Sequence, residues 1–235
     1  MKILALGDPH GKLPKNIISL MKKVDLIVCV GDIPYTPKNP LKEESWTKKV
    51  KAKANKSYSE IIKKLNSSKK PLLTLRGNMF AKSKESNKLT KRAFSKHKDL
   101  YHKKFGKLKI LNQNFIFYDI LYEPHNLRKK SSEKRFKSNK VKEKNLNKQL
   151  KSIDDPIIIS HAPPYGYLDV VNNKLTNFKK KHVGSKILLK AIKKHKPKLV
   201  LCGHIHEAKG KKKIGKTGVY NLGSHGDYKI IEVKQ

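Results

Sequence analysis

Five short apolar runs in the chain each end in residue types that ligate metals. Ile3 to Leu6 runs into Gly7-Asp8-Pro9-His10, and Leu26 to Val30 into Gly31-Asp32. Leu72 to Leu75 runs into Arg76-Gly77-Asn78, and Ile157 to Ile159 into Ser160-His161-Ala162-Pro163-Pro164. Leu199 to Cys202 runs into Gly203-His204-Ile205-His206. The C-terminal ends of strands are where open α/β sheets place their chemistry. Gathered there, Asp8, His10, Asp32, Asn78, His161, His204 and His206 would supply oxygen and nitrogen donors for divalent metal ions. Taken singly, each piece has a blander reading. Asp-x-His is a common pair, Gly-Asp serves as a turn or helix cap, and Asn after Gly suits a left-handed turn. A histidine before Ala-Pro-Pro can simply end a strand. Gly-His-x-His is stronger, because two histidines two apart on an extended segment point to one face. The weight lies in the set and its order.

These boxes need strands that end at one edge and helices that cover the sheet. Apolar and β-branched runs predict strands over 2–7, 24–30, 71–75, 107–111, 114–120, 156–160, 198–202, 212–221 and 227–234. Helical spacing predicts helices over 13–23, 48–65, 86–97, 139–151 and 184–195, the last stopped by Pro197. Strand and helix alternate first and strands dominate the end, which predicts an α/β protein with a mixed sheet or two packed sheets. Residues 33–47 carry Pro34, Pro37 and Pro40 and read as a loop. Residues 123–151, nearly all Lys, Ser, Asn and Glu, read as an inserted solvated helix or mobile lid. With no repeat and no linker, the chain reads as one domain over 1–235.

Composition narrows the setting. No run of about 18 apolar residues is present, so no membrane span is expected. The start of the chain lacks the apolar stretch of a signal peptide, and a cytoplasmic protein is expected. Cys29 and Cys202 sit inside apolar runs with no C-x-x-C spacing, which predicts buried reduced thiols. Basic residues number 56 against 18 acidic, a net charge of +38. Lysine supplies all of them but Arg76, Arg92, Arg128 and Arg135. A polyanionic partner such as nucleic acid accounts for that surplus, and so does a proteome-wide bias toward lysine.

The order Asp-x-His, Gly-Asp, Gly-Asn, His, Gly-His-x-His resembles the calcineurin-like metallophosphoesterase superfamily. His161-Ala162-Pro163-Pro164-Tyr165-Gly166, then Asp169 and His182-Val183-Gly184-Ser185-Lys186, is similar to a compact prokaryotic, especially archaeal, branch. The resemblance runs from residue 3 to about 234 and is weakest over 123–151. It implies a four-layer αββα fold, with two mixed sheets face to face and helices outside. It implies two divalent ions drawn from Mn, Fe, Ni or Zn: Asp8, His10 and His206 on the first, Asn78, His161 and His204 on the second, and Asp32 bridging. It implies hydrolysis of a phosphoester by in-line attack of a metal-bridging hydroxide, with no protein nucleophile.

One position departs from that pattern. Many members follow the Asn with a histidine thought to protonate the leaving group, and here Met79 stands in its place. Methionine has no proton to give. The change favours activated leaving groups or diesters, or passes the role to another histidine, with His182 and His225 as candidates. Both are as well read as surface or supporting histidines. Tyr165, Tyr167 and Phe178 could stack a nucleobase or merely pack the loop. A non-catalytic metal-bearing scaffold and a nucleic-acid-binding protein are the competing readings.

Overall fold

The computed structural model describes residues 1–40, 42–79, 99–103, 105–119, 132–172 and 180–234, with backbone alone for 132–139. It forms two compact units: Met1–Lys103 with Ser224–Gln235, and Lys104–Gly223. The expected helix over 86–97 and Phe178 lie outside the described residues.

The first unit is built on a five-stranded mixed sheet of β1 (Lys2–Leu6), β2 (Leu26–Cys29), β3 (Leu72–Thr74), β4 (Leu100–His102) and β11 (Tyr228–Glu232), in the order β11-β1-β2-β3-β4. β1 through β4 run parallel and β11 antiparallel to β1. Every residue of β2 and β3 is buried. Strands covered on both faces read as unbroken apolar runs, and these two were legible for that reason. The short strand β4 was not expected.

Two α-helices serve this unit among the described residues. α1 (Ile17–Lys22) starts later than the expected residue 13. Pro14 disfavours helical backbone at Leu13, and its carbonyl accepts from Ile17 N–H in a preceding turn. α2 (Lys48–Asn66) is capped by Thr47, whose side chain accepts from Val50 N–H. Ala54, Tyr58, Ile61, Ile62 and Leu65 form its buried stripe. Tyr58, Ile62 and Leu65 pack with Leu4, Leu6, Ile27 and Cys29 of the sheet. Each such side chain contributes about 1.5–3 kcal/mol by leaving water.

The second unit carries a six-stranded mixed sheet of β5 (Phe105–Ile110), β6 (Gln113–Tyr118), β7 (Ile157–Ser160), β8 (Leu199–Cys202), β9 (Gly210–Ile214) and β10 (Thr217–Asn221). Its order is β5-β6-β7-β8-β10-β9, parallel in the middle and antiparallel at both edges. The single strand expected over 212–221 is a hairpin. Gly215 takes φ 57 between Ile214 and Thr217, turning the chain back on itself.

α3 (Ser132–Lys151) and α4 (Lys186–His195) flank that sheet. The helix expected within 123–151 is present as α3, and it is docked on the sheet rather than wholly solvated. Leu146 and Leu150 are buried in one cluster with Ile116, Ile158, Leu188 and Val200. Asn147 Oδ1 lies 2.6 Å from His195 Nε2, which joins α3 to α4. Two leucines on one face suffice to dock a helix that is otherwise lysine-rich. α4 is capped by Ser185, which accepts from Leu188 N–H, and ends at Lys196 with φ 50 before Pro197.

Candidate functional site

In the first unit the candidate ligands lie on the loops that leave the parallel strands β1, β2 and β3 at their C-terminal ends. Asp8 follows β1 and pairs with Ser224 in a parallel bridge. His10 N–H donates to the Asp32 carbonyl at 2.9 Å, and Gly11 N–H to the Ile33 carbonyl at 2.9 Å, so the loop after β1 lies along the loop after β2. Asp32 N–H in turn donates to the Arg76 carbonyl at 3.3 Å on the loop after β3. Asp32 Oδ1 accepts from Met79 N–H at 2.7 Å.

Two of these ligand candidates sit in left-handed backbone, His10 at φ 46 and Asp32 at φ 43. That region costs an L-residue about 1–2 kcal/mol and is held by the surrounding bonds. Gly77, at φ 75, has no alternative: a Cβ there would lie 2.2 Å from Asp32 Oδ1 and 2.5 Å from Asp32 N.

Asp8, His10 and Asp32 are buried, and Asn78 is half-buried. A ligand atom of Asp8 lies within 4.8 Å of one on His10, and likewise of one on Asp32. Two carboxylates this close and this buried repel each other unless a cation lies with them. Carboxylate beside imidazole is the donor set that suits Mn²⁺, Fe²⁺, Ni²⁺ or Zn²⁺. Thr36 Oγ1 lies 3.2 Å from His10 Nδ1 and sets the ring plane, so that ligation would run through Nε2.

In the second unit the loops after β7 and β8 carry the histidines. His161 is fully buried, and its ring centroid lies 5.0 Å from that of His204. Gly203 N–H donates to the His161 carbonyl at 3.0 Å. The expectation of an extended His204-Ile205-His206 segment is corrected. His204 has φ 67, and His206 opens a 3-10 turn over His206–Ala208. Strand pairing with β10 ends at Cys202, so nothing keeps the chain extended beyond it. Buried Asn221, at the end of β10, holds this loop: its Nδ2 donates to the Ile205 carbonyl at 2.8 Å and the Leu168 carbonyl at 3.1 Å. Neither Asn221 nor Thr36 was singled out from sequence. An asparagine closing a strand before Leu-Gly was the available signal for the first, and none marked the second.

Met79 contributes its backbone N–H to Asp32, a service independent of side-chain type. The His225 ring lies 5.1 Å from that of His10, and the backbone N–H of His225 donates to the Asp8 carbonyl at 2.9 Å. His182 Nδ1 lies 2.6 Å from Asp169 Oδ1, and its ring 5.6 Å from that of Tyr165. Tyr167 packs against the buried cluster of its own unit. Cys29 and Cys202 are free and buried. Burial pushes the Cys29 thiol up to about 12, so it is no nucleophile. Among the described residues, no helix is long and apolar enough to cross a membrane.

The chain is 29% identical to an uncharacterized protein of Methanocaldococcus jannaschii, over 100% of this chain and 93% of that one. A solved crystal structure matches it with a TM-score of 0.67 at 18% identity, covering 98% of each chain. The phosphopantetheinyl hydrolase of Mycobacterium tuberculosis matches with a TM-score of 0.53 at 9% identity, over 96% of this chain and 89% of that one. At these identities the likeness to the solved structures is one of fold. The model of the calcineurin-like phosphoesterases matches residues 1–208, taking in every candidate ligand, and the chain belongs to that family.

Proposed function

We propose that the protein is a dinuclear metal-dependent phosphoesterase that hydrolyses phosphodiesters of the nucleotide or nucleic-acid type, acting as one domain in the cytoplasm. Membership of a phosphoester hydrolase family supports the reaction class. The observation that carries the metal dependence is the pair of buried carboxylates, Asp8 and Asp32, beside His10 on the loops after two parallel strands. Asp8, His10 and His206 are assigned to one ion and Asn78, His161 and His204 to the other, with Asp32 shared. Bound divalent ions would supply an activated water and neutralise charge on the phosphoryl oxygens. The chain's own part is to hold these donors in place: Thr36 sets His10, Met79 N–H and Gly77 set Asp32, and Asn221 sets the His204 loop.

Two features favour a diester. Met79 has no proton for a poor leaving group, and a net charge of +38 attracts polyanions. The free, buried thiols of Cys29 and Cys202 are in keeping with a reducing compartment.

Purified protein with Mn²⁺ is expected to cleave bis-p-nitrophenyl phosphate and to bind about two ions per chain. Asp32→Asn and His161→Ala are each expected to lower the rate by more than about 100-fold, since mutating even the partners of metal ligands typically costs 10–100-fold. Two bound ions without hydrolysis of any ester would instead favour the scaffold. No hydrolysis with any of Mn²⁺, Fe²⁺, Ni²⁺ or Zn²⁺ would sink the enzymatic reading.

A further inference from the structure

Asp169 anchors a side-chain cluster in the second unit to which the proposed reaction assigns no role. The carboxylate is fully buried. Its Oδ2 accepts from the backbone N–H of Gly166 at 3.0 Å and of Gly184 at 2.9 Å, and its Oδ1 meets His182 Nδ1 at 2.6 Å. The backbone bonds clamp the turn after His161 onto the segment before α4. Tyr165 N–H to the Ser185 carbonyl (3.0 Å) and Ser185 N–H to the Pro163 carbonyl (2.8 Å) reinforce the clamp. A Cβ on Gly184 would lie 2.7 Å from Pro163 O, so the two segments touch backbone to backbone.

The imidazole adds something that this clamp does not require. The His182 side chain is 43% exposed, yet it is fastened to a fully buried carboxylate. Donation from Nδ1–H to Asp169 fixes the ring plane and turns Nε2 away from the carboxylate. The Tyr165 ring lies 5.6 Å from the imidazole, and Lys186 Nζ lies 4.8 Å from the Tyr165 ring centroid. Imidazole, phenol and ammonium thus form one patch, on a platform that begins four residues beyond His161. A histidine ring anchored by a carboxylate, with an ammonium beside it, is suited to the oxygens of a phosphate, because charge-assisted hydrogen bonds are the strong ones and little side-chain freedom remains to be lost.

We propose that His182 and Lys186, set against Tyr165, form a subsite for a phosphate group of the substrate other than the one hydrolysed, such as the terminal phosphate of an oligonucleotide. This rests on the phosphoesterase reading above.

The test uses two dinucleotides with the same diester bond, TpT and 5′-phosphorylated pTpT. The Mn²⁺-loaded wild type should show the lower KM for pTpT. His182→Ala should raise the KM for pTpT about tenfold, with kcat and the KM for TpT nearly unchanged. Lys186→Ala should act in the same direction, and His182→Gln serves where the alanine variant folds poorly. Equal changes for both substrates, or none, would overturn the subsite. Binding is read separately by following the His182 ring resonance of the protein in EDTA. A shift with pTpT but not TpT supports the subsite even if neither dinucleotide is hydrolysed, an outcome that would count against the phosphoesterase reading alone. No shift with pTpT overturns the subsite while leaving that reading intact.

Discussion

In the first unit, loops after β1, β2 and β3 are stitched together by their own backbones. In the second, the loops after β7 and β8 share one backbone bond, Gly203 N–H to the His161 carbonyl, and lean further on buried polar side chains. Asp32 shows the first mode: its carbonyl accepts from the His10 N–H, and its own N–H donates to the Arg76 carbonyl. Asn221 and Asp169 show the second, each reaching from a buried position to backbone groups on neighbouring loops. The stitched loops carry the carboxylates, whose mutual repulsion must be resisted before a cation arrives. The side-chain-held loops carry histidines, which bring no negative charge to repel a neighbour and need orientation more than restraint. Backbone changes should therefore harm the first unit most, and loss of one polar side chain the second.

Gly77→Ala is the harshest test of the stitched unit. The added methyl would meet Asp32 Oδ1 at 2.2 Å, in a backbone with φ 75. The loop must move or Asp32 must turn away, and a loss of about 3 kcal/mol or more in stability is expected, together with much of the metal affinity. Gly184→Ala is the counterpart in the second unit, with its nearest contact at 2.7 Å and no left-handed φ to add. Denaturant melts and metal titrations of the two variants compare the units directly. Wild-type metal binding by Gly77→Ala would show that the stitching does not place Asp32.

Acid provides a smaller effect. Burial, with Arg76 nearby, pushes the His102 imidazole down from 6.5 to about 4. Between those values the unfolded chain takes up a proton that the folded one refuses. The stabilisation is therefore complete above pH 6.5 and is lost as the pH falls toward 4, by up to about 3 kcal/mol. His102→Gln should flatten that part of the stability profile. His195 of the second unit is also lowered, by burial and then by Lys194 and Lys151, so it acts with the same sign. A profile unchanged by His102→Gln would remove His102 as its source.

What the sequence disclosed follows from how far each feature reaches along the chain. Strands buried on both faces read as apolar runs, and the residues that end them are adjacent in sequence, so the five strand ends that carry the candidate ligands were legible. The supports were not. Thr36 meets His10 from 26 residues away, and Asn221 meets Ile205 from 16 away. A lone polar residue carries no sign of a distant partner. The left-handed turn at His204 was missed because alternation in sequence does not report φ. The docking of α3 was missed because Leu146 and Leu150 are thinly spread among lysines. Gly215 was the visible mark of the β9–β10 hairpin and was read through as strand.

Thr36→Val draws the finest line between the two modes. Valine keeps the branched shape and removes only the hydroxyl that lies 3.2 Å from His10 Nδ1. The backbone bonds of His10 and Gly11 to Asp32 and Ile33 do not involve Thr36, so the loop should stay where it is. If stitching alone positions His10, metal affinity will not change. If the ring plane also needs setting, affinity should fall about tenfold, the lower end of what partners of ligating histidines are worth. The second outcome is expected, because the backbone fixes where the His10 Cβ sits but leaves the imidazole free to rotate about χ2. Isothermal titration with Mn²⁺ on the variant decides it, and an unchanged affinity would make the stitched unit complete without any side-chain support.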